Sequence, residues 1–419
     1  MKHLKKPRNT PDSSPNIIQN LPLKGVPMSN FKPPENDKKR ALTAGTVQAL
    51  TNPSSQEISP YYSTSLSSCQ AKAEKELSES FTPRKTLSEY LAESYLRLGY
   101  LKESQRVYEC SSYLAFSHAV LEDYTLDANS KLHRANFCRD RLCPTCLWRR
   151  SLKYFNQASQ ILSVLEKDHE FLFLTLTAPN CAPEDLSTTI DKFMKGWLKL
   201  FRKARFTKAI CGFSRALEVT RNRVSDTYHP HFHCVLAVKP SYFTSRAYIS
   251  QAEWLQMWRD SYGDQSITQV DVRKAYAKPS AGGASVPLGS VVAEAVKYST
   301  KPTEYIIPND PDETDRAVAT LKPSLYKRRL IQYGGCFKDV ARRLKLDDPE
   351  DGDLLHVETD IHPAIAHFIT HYSWGLGCYR ITGAEFLSLD AKAFIPGATD
   401  GSIIHCDLSE NLNPLDLKS

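Results

Sequence analysis

GFSRALEVTRNRVSDTYHPHFHCVLAV, residues 212–238, holds two strand candidates, 212–220 and 231–238, on either side of the polar turn RNRVSD. Strand side chains repeat every two residues, so His229, His231 and His233 can point to one face while Phe232, Cys234 and Leu236 point to the other. On the first strand Glu218 shares a face with Ser214, Ala216 and Thr220, opposite Phe213, Leu217 and Val219. Hairpin pairing can carry its carboxylate to the histidine face. Two imidazoles plus this carboxylate leave coordination positions open for a phosphate oxygen, as a catalytic Mg2+ or Mn2+ site requires. Histidine ligation tilts the choice toward Mn2+. H-x-H is a short pattern, and surface histidines beside a charged residue are the competing account.

Working outward, FLFLTLT (171–177) reads as a buried strand closed by Pro179 and Asn180. From 183 to 201 the residues Ile190, Phe193, Met194, Trp197, Leu200 and Phe201 recur every three or four positions, one stripe of a helix with a proline near its first turn. Further upstream Leu87, Tyr90, Leu91 and Tyr95 fall at helical spacings before Gly99, and 154–165 is again helical in pattern. Downstream come a short helix at 252–259, a strand at 267–273, a loop rich in Gly and Pro at 278–289, and helical spacing over 291–300 before Pro302. The β-α-β-β order predicts an α+β fold in which helices pack against one face of an antiparallel sheet.

In VVAEAVKYSTKP, Glu294 and Tyr298 are four apart, as are Lys297 and Lys301, so each pair shares a helix face. A phenol titrates at about pH 10, so attack on phosphorus at neutral pH needs a metal or base to balance the developing charge. The histidine strand can supply such a centre. Attack by tyrosine on a DNA phosphodiester conserves the bond energy in a phosphotyrosine and frees a 3′-hydroxyl, whereas attack by water does not. Glu294 is then suited to positioning or deprotonating a second nucleophile. The competing account has Tyr298 packing through its ring beside Glu294 or a lysine.

Eleven cysteines are dispersed except for four between Cys110 and Cys146, which favours a reducing compartment, the cytoplasm. Cys138-x4-Cys143-x2-Cys146 has the short second spacing of a zinc knuckle, and Cys110 can add a fourth thiolate to close a tetrahedral Zn2+ site. Arg139, Arg141, Arg149 and Arg150 can balance the negative charge of such a centre or face a phosphate backbone. Overall, 54 basic against 47 acidic residues leave the 419-residue chain at +7, a lean that suits nucleic acid. With 41% hydrophobic residues the chain can bury at least one sizeable core, which excludes wholesale disorder. No apolar run approaches the roughly 20 residues of a membrane span. Basic residues concentrate ahead of the histidine block, at Lys195, Lys199, Arg202, Lys203, Arg205 and Lys208, and after the tyrosine helix, at Arg328 and Arg329. Trp254 and Trp258 are candidates for stacking on unpaired bases, while Trp197 falls on an apolar stripe.

Four blocks, FLFLTLTAPN, GFSRALEVT, HPHFHCVLAV and EAVKYSTKP, together with CRDRLCPTCLWRR and KRRLIQYGGCFK, resemble in content and order the HUH-endonuclease initiators of rolling-circle plasmid replication that use one tyrosine. The resemblance implies an HUH endonuclease fold preceded by a small zinc-binding segment. It also implies His231 and His233 as the metal pair, Tyr298 as nucleophile and Glu294 as the residue promoting strand release at termination. Glu218 remains a ligand candidate by its face, and the role of His229 stays open. The implied partners are plasmid origin DNA, single-stranded or as an extruded hairpin, and a host helicase and DNA polymerase, with no membrane. A relaxase or transposase of similar chemistry, and a zinc-stabilised DNA-binding regulator without catalysis, are the alternatives. The expected organisation is a weakly ordered leader (1–84), a helical and zinc-binding segment (85–165), a nicking domain (166–358) and a C-terminal extension of open role (359–419). Within that extension HPAIAHFITHYSWG is a helix or a strand.

Overall fold

The structure, a computed structural model, describes residues 73–120, 126–276, 286–287, 301–357, 366–388 and 404–406. Glu294, Lys297 and Tyr298, most of the Gly- and Pro-rich loop, the first 72 residues and the terminal LSENLNPLDLKS lie outside the described residues.

The hairpin forms as β4 (Ile210–Asn222) and β5 (Thr227–Val238). Both strands run past their apolar stretches, because backbone pairing carries the polar pairs Arg221↔Tyr228 and Asn222↔Thr227 up to the turn. The Asn222 side chain closes that turn by accepting from the N–H groups of Val224 and Ser225. FLFLTLT becomes β3 (Glu170–Thr177), antiparallel to β5. Beyond it lie β6 (Asp271–Tyr276) and β7 (Val286–Pro287), and on the other edge β8 (Ile331–Gly335) pairs with β4. The six-stranded order is β7-β6-β3-β5-β4-β8, antiparallel except for the short parallel β6–β7 pair. The strand expected at 267–273 starts only at Asp271; Ile267 and Val270 are instead buried apolar anchors on the approach to it.

Helices cover both faces of this sheet, which corrects the expectation of helices on one face. Leu172, Leu174, Leu176, Phe232, Cys234 and Leu236 meet α4 (Leu186–Phe201), α6 (Gln251–Tyr262) and α8 (Pro311–Leu325). The opposite face, with Phe171, Phe173, Ala216, Val235 and Ala237, meets α3 (Pro144–Leu165) and α9 (Cys336–Arg343). The near-continuous apolar runs of β3 and β5 mark strands buried on both sides. Shorter helices α5 (Ala204–Ala209) and α7 (Pro302–Tyr305) connect these layers.

The chain's described part is helical from its first residues, through Leu77–Phe81 and into α1 (Thr82–Arg97), which begins inside the range read as leader, followed by α2 (Leu101–Tyr108). Helix α3 starts at Pro144, ten residues before the apolar pattern shows it, because Arg149, Arg150 and Lys153 interrupt the stripe with charges that are tied to chain groups. A second sheet, in the order β11-β10-β9-β1-β2, joins β1 (Tyr113–Val120) and β2 (Leu126–Ala135) to β9 (Ala366–Gly375), β10 (Cys378–Ser388) and β11 (Ile404–Cys406). HPAIAHFITHYSWG is thus a strand over its last ten residues, paired with β1 across the length of the chain. Leu114, Phe116, Leu132 and Tyr372 of this sheet pack on Leu77, Phe81 and Trp148. Among the described residues no helix is long and apolar enough to cross a membrane.

Candidate metal centres and basic surface

Register places Glu218 directly across from His231, with His233 two residues along the same face of β5. Glu218 Oε2 stands 2.8 Å from Nε2 of His231 and 2.8 Å from Nε2 of His233. All three side chains are at most 9% exposed by residue. Burial opposes ionisation of Glu218, yet hydrogen bonds to the two imidazoles hold its carboxyl well below the usual carboxylate range. The imidazoles are oriented from behind. Nδ1 of His231 donates to the His229 carbonyl at 3.2 Å, and Nδ1 of His233 lies 3.4 Å from Thr175 Oγ1 while its ring stacks on Phe173. Such outer contacts fix which nitrogen faces a metal. Adjacent ligands of an octahedral ion with bonds of ~2.1 Å stand about 3.0 Å apart, so this donor set fits Mg2+ or Mn2+. His229 lies outside the cluster of mutually close donors, and burial lowers its pKa.

Cys110, Cys138, Cys143 and Cys146 converge from the end of α2, the turn after β2 and the start of α3. Their sulfurs are 3.5 Å (Cys110–Cys143), 3.6 Å (Cys110–Cys146) and 3.7 Å (Cys138–Cys146) apart. A zinc tetrahedron with Zn–S bonds of ~2.3 Å has edges of about 3.8 Å, so the four thiols match a closed Zn2+ site. Backbone N–H groups of Cys138, Arg139 and Asp140 donate to these sulfurs, and Arg139 adopts φ 59° to form that turn. Burial raises the Cys143 thiol, but hydrogen bonding with the other three cysteines and Ser88 brings it well below its ordinary value.

The arginines of this segment are tied to other parts of the chain, with Arg139 alone of the four exposed. Arg141 pairs with Glu350, Arg139 donates to the Asp351 carbonyl, Arg150 to the Glu350 carbonyl, and buried Arg149 caps the carbonyls of Leu354 and Leu355. Lys153 joins Asp347 in the same loop. The acidic run DDPEDGD (347–353) was the sequence signal for this partner, and it lies far along the chain from the arginines it binds. Glu350 also accepts from the Leu330 N–H at the foot of β8, tying the cysteine segment to the main sheet.

Trp254 and Trp258, candidates for base stacking, are fully buried core residues beside Trp197. Arg328 binds Asp191 and Ser187, Arg329 binds Asp348, Lys203 pairs with Asp260, and Arg205 caps the Arg246 and Tyr248 carbonyls beside Glu253. Lys301 lies 3.7 Å from Glu304. Lys195, Lys199, Arg202 and Lys208 are exposed along α4 and α5 and make no ion pair among the described residues. They form one basic surface open to a ligand.

A family model described as a replication protein matches residues 129–379. The chain is similar to "Protein rep" of Streptococcus pneumoniae serotype 2, 38% identical over 283 residues, 66% of this chain and 83% of that protein. It is also similar to "Protein rep" of Bacillus amyloliquefaciens, 35% identical over 272 residues, 62% of this chain and 78% of that one. "Protein rep" of Staphylococcus aureus is 38% identical over 204 residues, 48% of this chain and 83% of that protein. No solved structure matches the chain.

Proposed function

The chain belongs to the replication-protein family, the rolling-circle plasmid initiators its motifs resemble, and from that premise we propose that it nicks one strand of its plasmid origin through Tyr298 and rejoins DNA at termination. The observation that carries this reading is the carboxylate of Glu218 held 2.8 Å from two imidazoles on the neighbouring strand. Glu218, His231 and His233 would hold Mg2+ or Mn2+, which when bound supplies positive charge to a phosphate oxygen. Cys110, Cys138, Cys143 and Cys146 would hold a structural Zn2+.

The Tyr298 phenol oxygen attacks phosphorus and the bond to the 3′ oxygen breaks. The phenol gives up its proton, the departing oxygen gains one as a 3′-hydroxyl, and the 5′ phosphate stays on the tyrosine. Host polymerase extends that hydroxyl behind a host helicase. When the regenerated origin is cut again the tyrosine is still occupied, and Glu294 activates water for the second cleavage. Lys195, Lys199, Arg202 and Lys208 contribute charge toward the DNA backbone, with Lys297 and Lys301 flanking the tyrosine and Lys203, Arg205, Arg328 and Arg329 shaping the surrounding surface.

The test is incubation with labelled single-stranded origin fragments and Mn2+, then denaturing electrophoresis and peptide mapping of the adduct. Tyr298→Phe abolishes the adduct while DNA binding stays within about threefold, because the basic surface is kept. An undiminished adduct in that variant refutes the assignment, and a wild-type protein that binds origin DNA without any adduct favours the non-catalytic regulator.

A further inference from the structure

Resting on the initiator reading for the identity of its ligand, we propose that the outer side of α4 and α5 is a second DNA surface, which holds unpaired DNA on the opposite side of the main sheet from Glu218, His231 and His233. The placement follows from strand alternation. His233 stacks on Phe173 on the sheet face that α3 and α9 cover, and Glu218 shares that face with Ala216. Phe232, the residue between the two histidines, points the other way and meets Phe193 and Trp197 of α4 at ring distances of 4.6 and 5.8 Å. Lys195, Lys199 and Arg202 stand on the solvent side of that helix, and their helical spacing keeps them in one stripe. The sheet and a helix about 10 Å thick therefore separate this charge from the metal cluster. Nucleotides that touch the stripe are not the ones at the cluster.

Charge alone suits a duplex as well as a single strand. What selects unpaired bases is the apolar surface beside the stripe. Leu198 and Phe201 are 49% and 38% exposed on a helix whose other side is buried. Phe201 meets Phe206 and Phe213 edge-on at 5.7 and 5.4 Å, contacts that fix its ring without covering it. Tyr248, 46% exposed, joins from the loop before α6. Arg205 of α5 pins that loop by donating to the carbonyls of Arg246 at 2.6 Å and Tyr248 at 2.5 Å. Arg246 of the loop and Lys208 of α5 add exposed charge. Paired bases already stack on one another, whereas unpaired bases leave their faces free for aromatic rings. Rings set among exposed cations thus serve bases and phosphates of the same single strand. A nicked and opened origin presents such strand beyond the cut site.

The experiment uses the full chain without added divalent metal and follows the fluorescence anisotropy of two probes, a short oligothymidylate and a hairpin duplex, neither carrying origin sequence. One variant combines Lys199→Gln, Arg202→Gln and Lys208→Gln, and a second combines Phe201→Leu and Tyr248→Leu. The charge variant is expected to bind oligothymidylate at least about tenfold more weakly, with a log–log salt slope shallower by about 2. The ring variant is expected to lose about tenfold or more on oligothymidylate, with its salt slope unchanged and its duplex affinity within about threefold of wild type. Phe201 also packs in the core, so Tyr248→Leu alone repeats the ring test from an exposed loop and is expected to cost about fivefold or more on the single strand. Wild-type oligothymidylate binding in both the charge variant and Tyr248→Leu overturns the proposal, as does an equal loss of duplex and single strand in the ring variants. A wild-type protein that forms no adduct with the origin strand, yet shows these losses in its variants, overturns the proposed nicking function and leaves this surface standing.

Discussion

Replacing Cys143 by serine removes one sulfur from the four-cysteine cluster proposed to hold zinc. Three of its sulfur–sulfur edges, 3.5 to 3.7 Å, fall just short of the edge of about 3.8 Å for a tetrahedral thiolate zinc site. Structural zinc sites bind with ~10–16 kcal/mol near neutral pH, against ~5–15 kcal/mol for the whole stability of a typical domain. Among the described residues the four sulfurs accept backbone N–H bonds from Cys138, Arg139 and Asp140 and a weak contact from Ser88, none of which replaces an ion held between them. Loss of metal should therefore open the loop even where the sheets stay folded. Protection of those three amides from hydrogen exchange should fall by at least about a thousandfold, equivalent to ~4 kcal/mol of local stability. The assay pairs elemental analysis of protein purified under reducing, chelator-free conditions with exchange mass spectrometry of the peptide spanning 136–147. Wild type should hold about one zinc that survives mild EDTA. Zinc near zero in the wild type, or unchanged amide protection in Cys143→Ser, refutes the reasoning. Because the thiols must lose their protons to bind, zinc affinity should weaken as pH falls and strengthen as it rises.

His231→Ala and His233→Ala should each lower metal-dependent cleavage by at least about a hundredfold, with His229→Ala milder, since only the first two lie against Glu218 Oε2. Metal-titrated cleavage rates check the order, and a His229 variant weaker than both others shows that the wrong pair was chosen. Glu294→Ala and Glu294→Asp should nick a supercoiled origin at near wild-type rate but fail at the second cleavage. A two-origin plasmid replicated in extract reads this as long single strands in place of unit circles, and equal loss of both steps refutes the division of labour. Replacing Lys195, Lys199, Arg202 and Lys208 together by glutamine should make the salt dependence of origin binding shallower by about 3 in log–log slope. An unchanged slope over a salt titration places the DNA elsewhere.

Periodicity exposed the hairpin and the face of Glu218 and the histidines, because a two-residue repeat is a local property of the strand. It also exposed the C-x2-C knuckle, whose ligands lie close in the chain. The same local logic failed for β1 and β2, whose mixed polar residues give no clean alternation, and for the first turns of α3, where charged side chains occupy the helix face. Nor could it show that Arg139, Arg141 and Arg149 bind Glu350, Asp351, Leu354 and Leu355, about two hundred residues further along the chain.

The sequence by itself determined the chemistry on offer: which residues can ligate, which can attack, and which strand face carries them, since these follow from side-chain type and spacing along a few residues. Only the tertiary structure decided the rest. The pairing of Glu218 with His231, the meeting of Cys110 with the knuckle, the burial of Trp254 and Trp258, and the union of β1 with β9 each depend on contacts between segments far apart in the chain. Such contacts are chosen by packing and by the satisfaction of buried polar groups over the whole fold, and no local pattern contains that information.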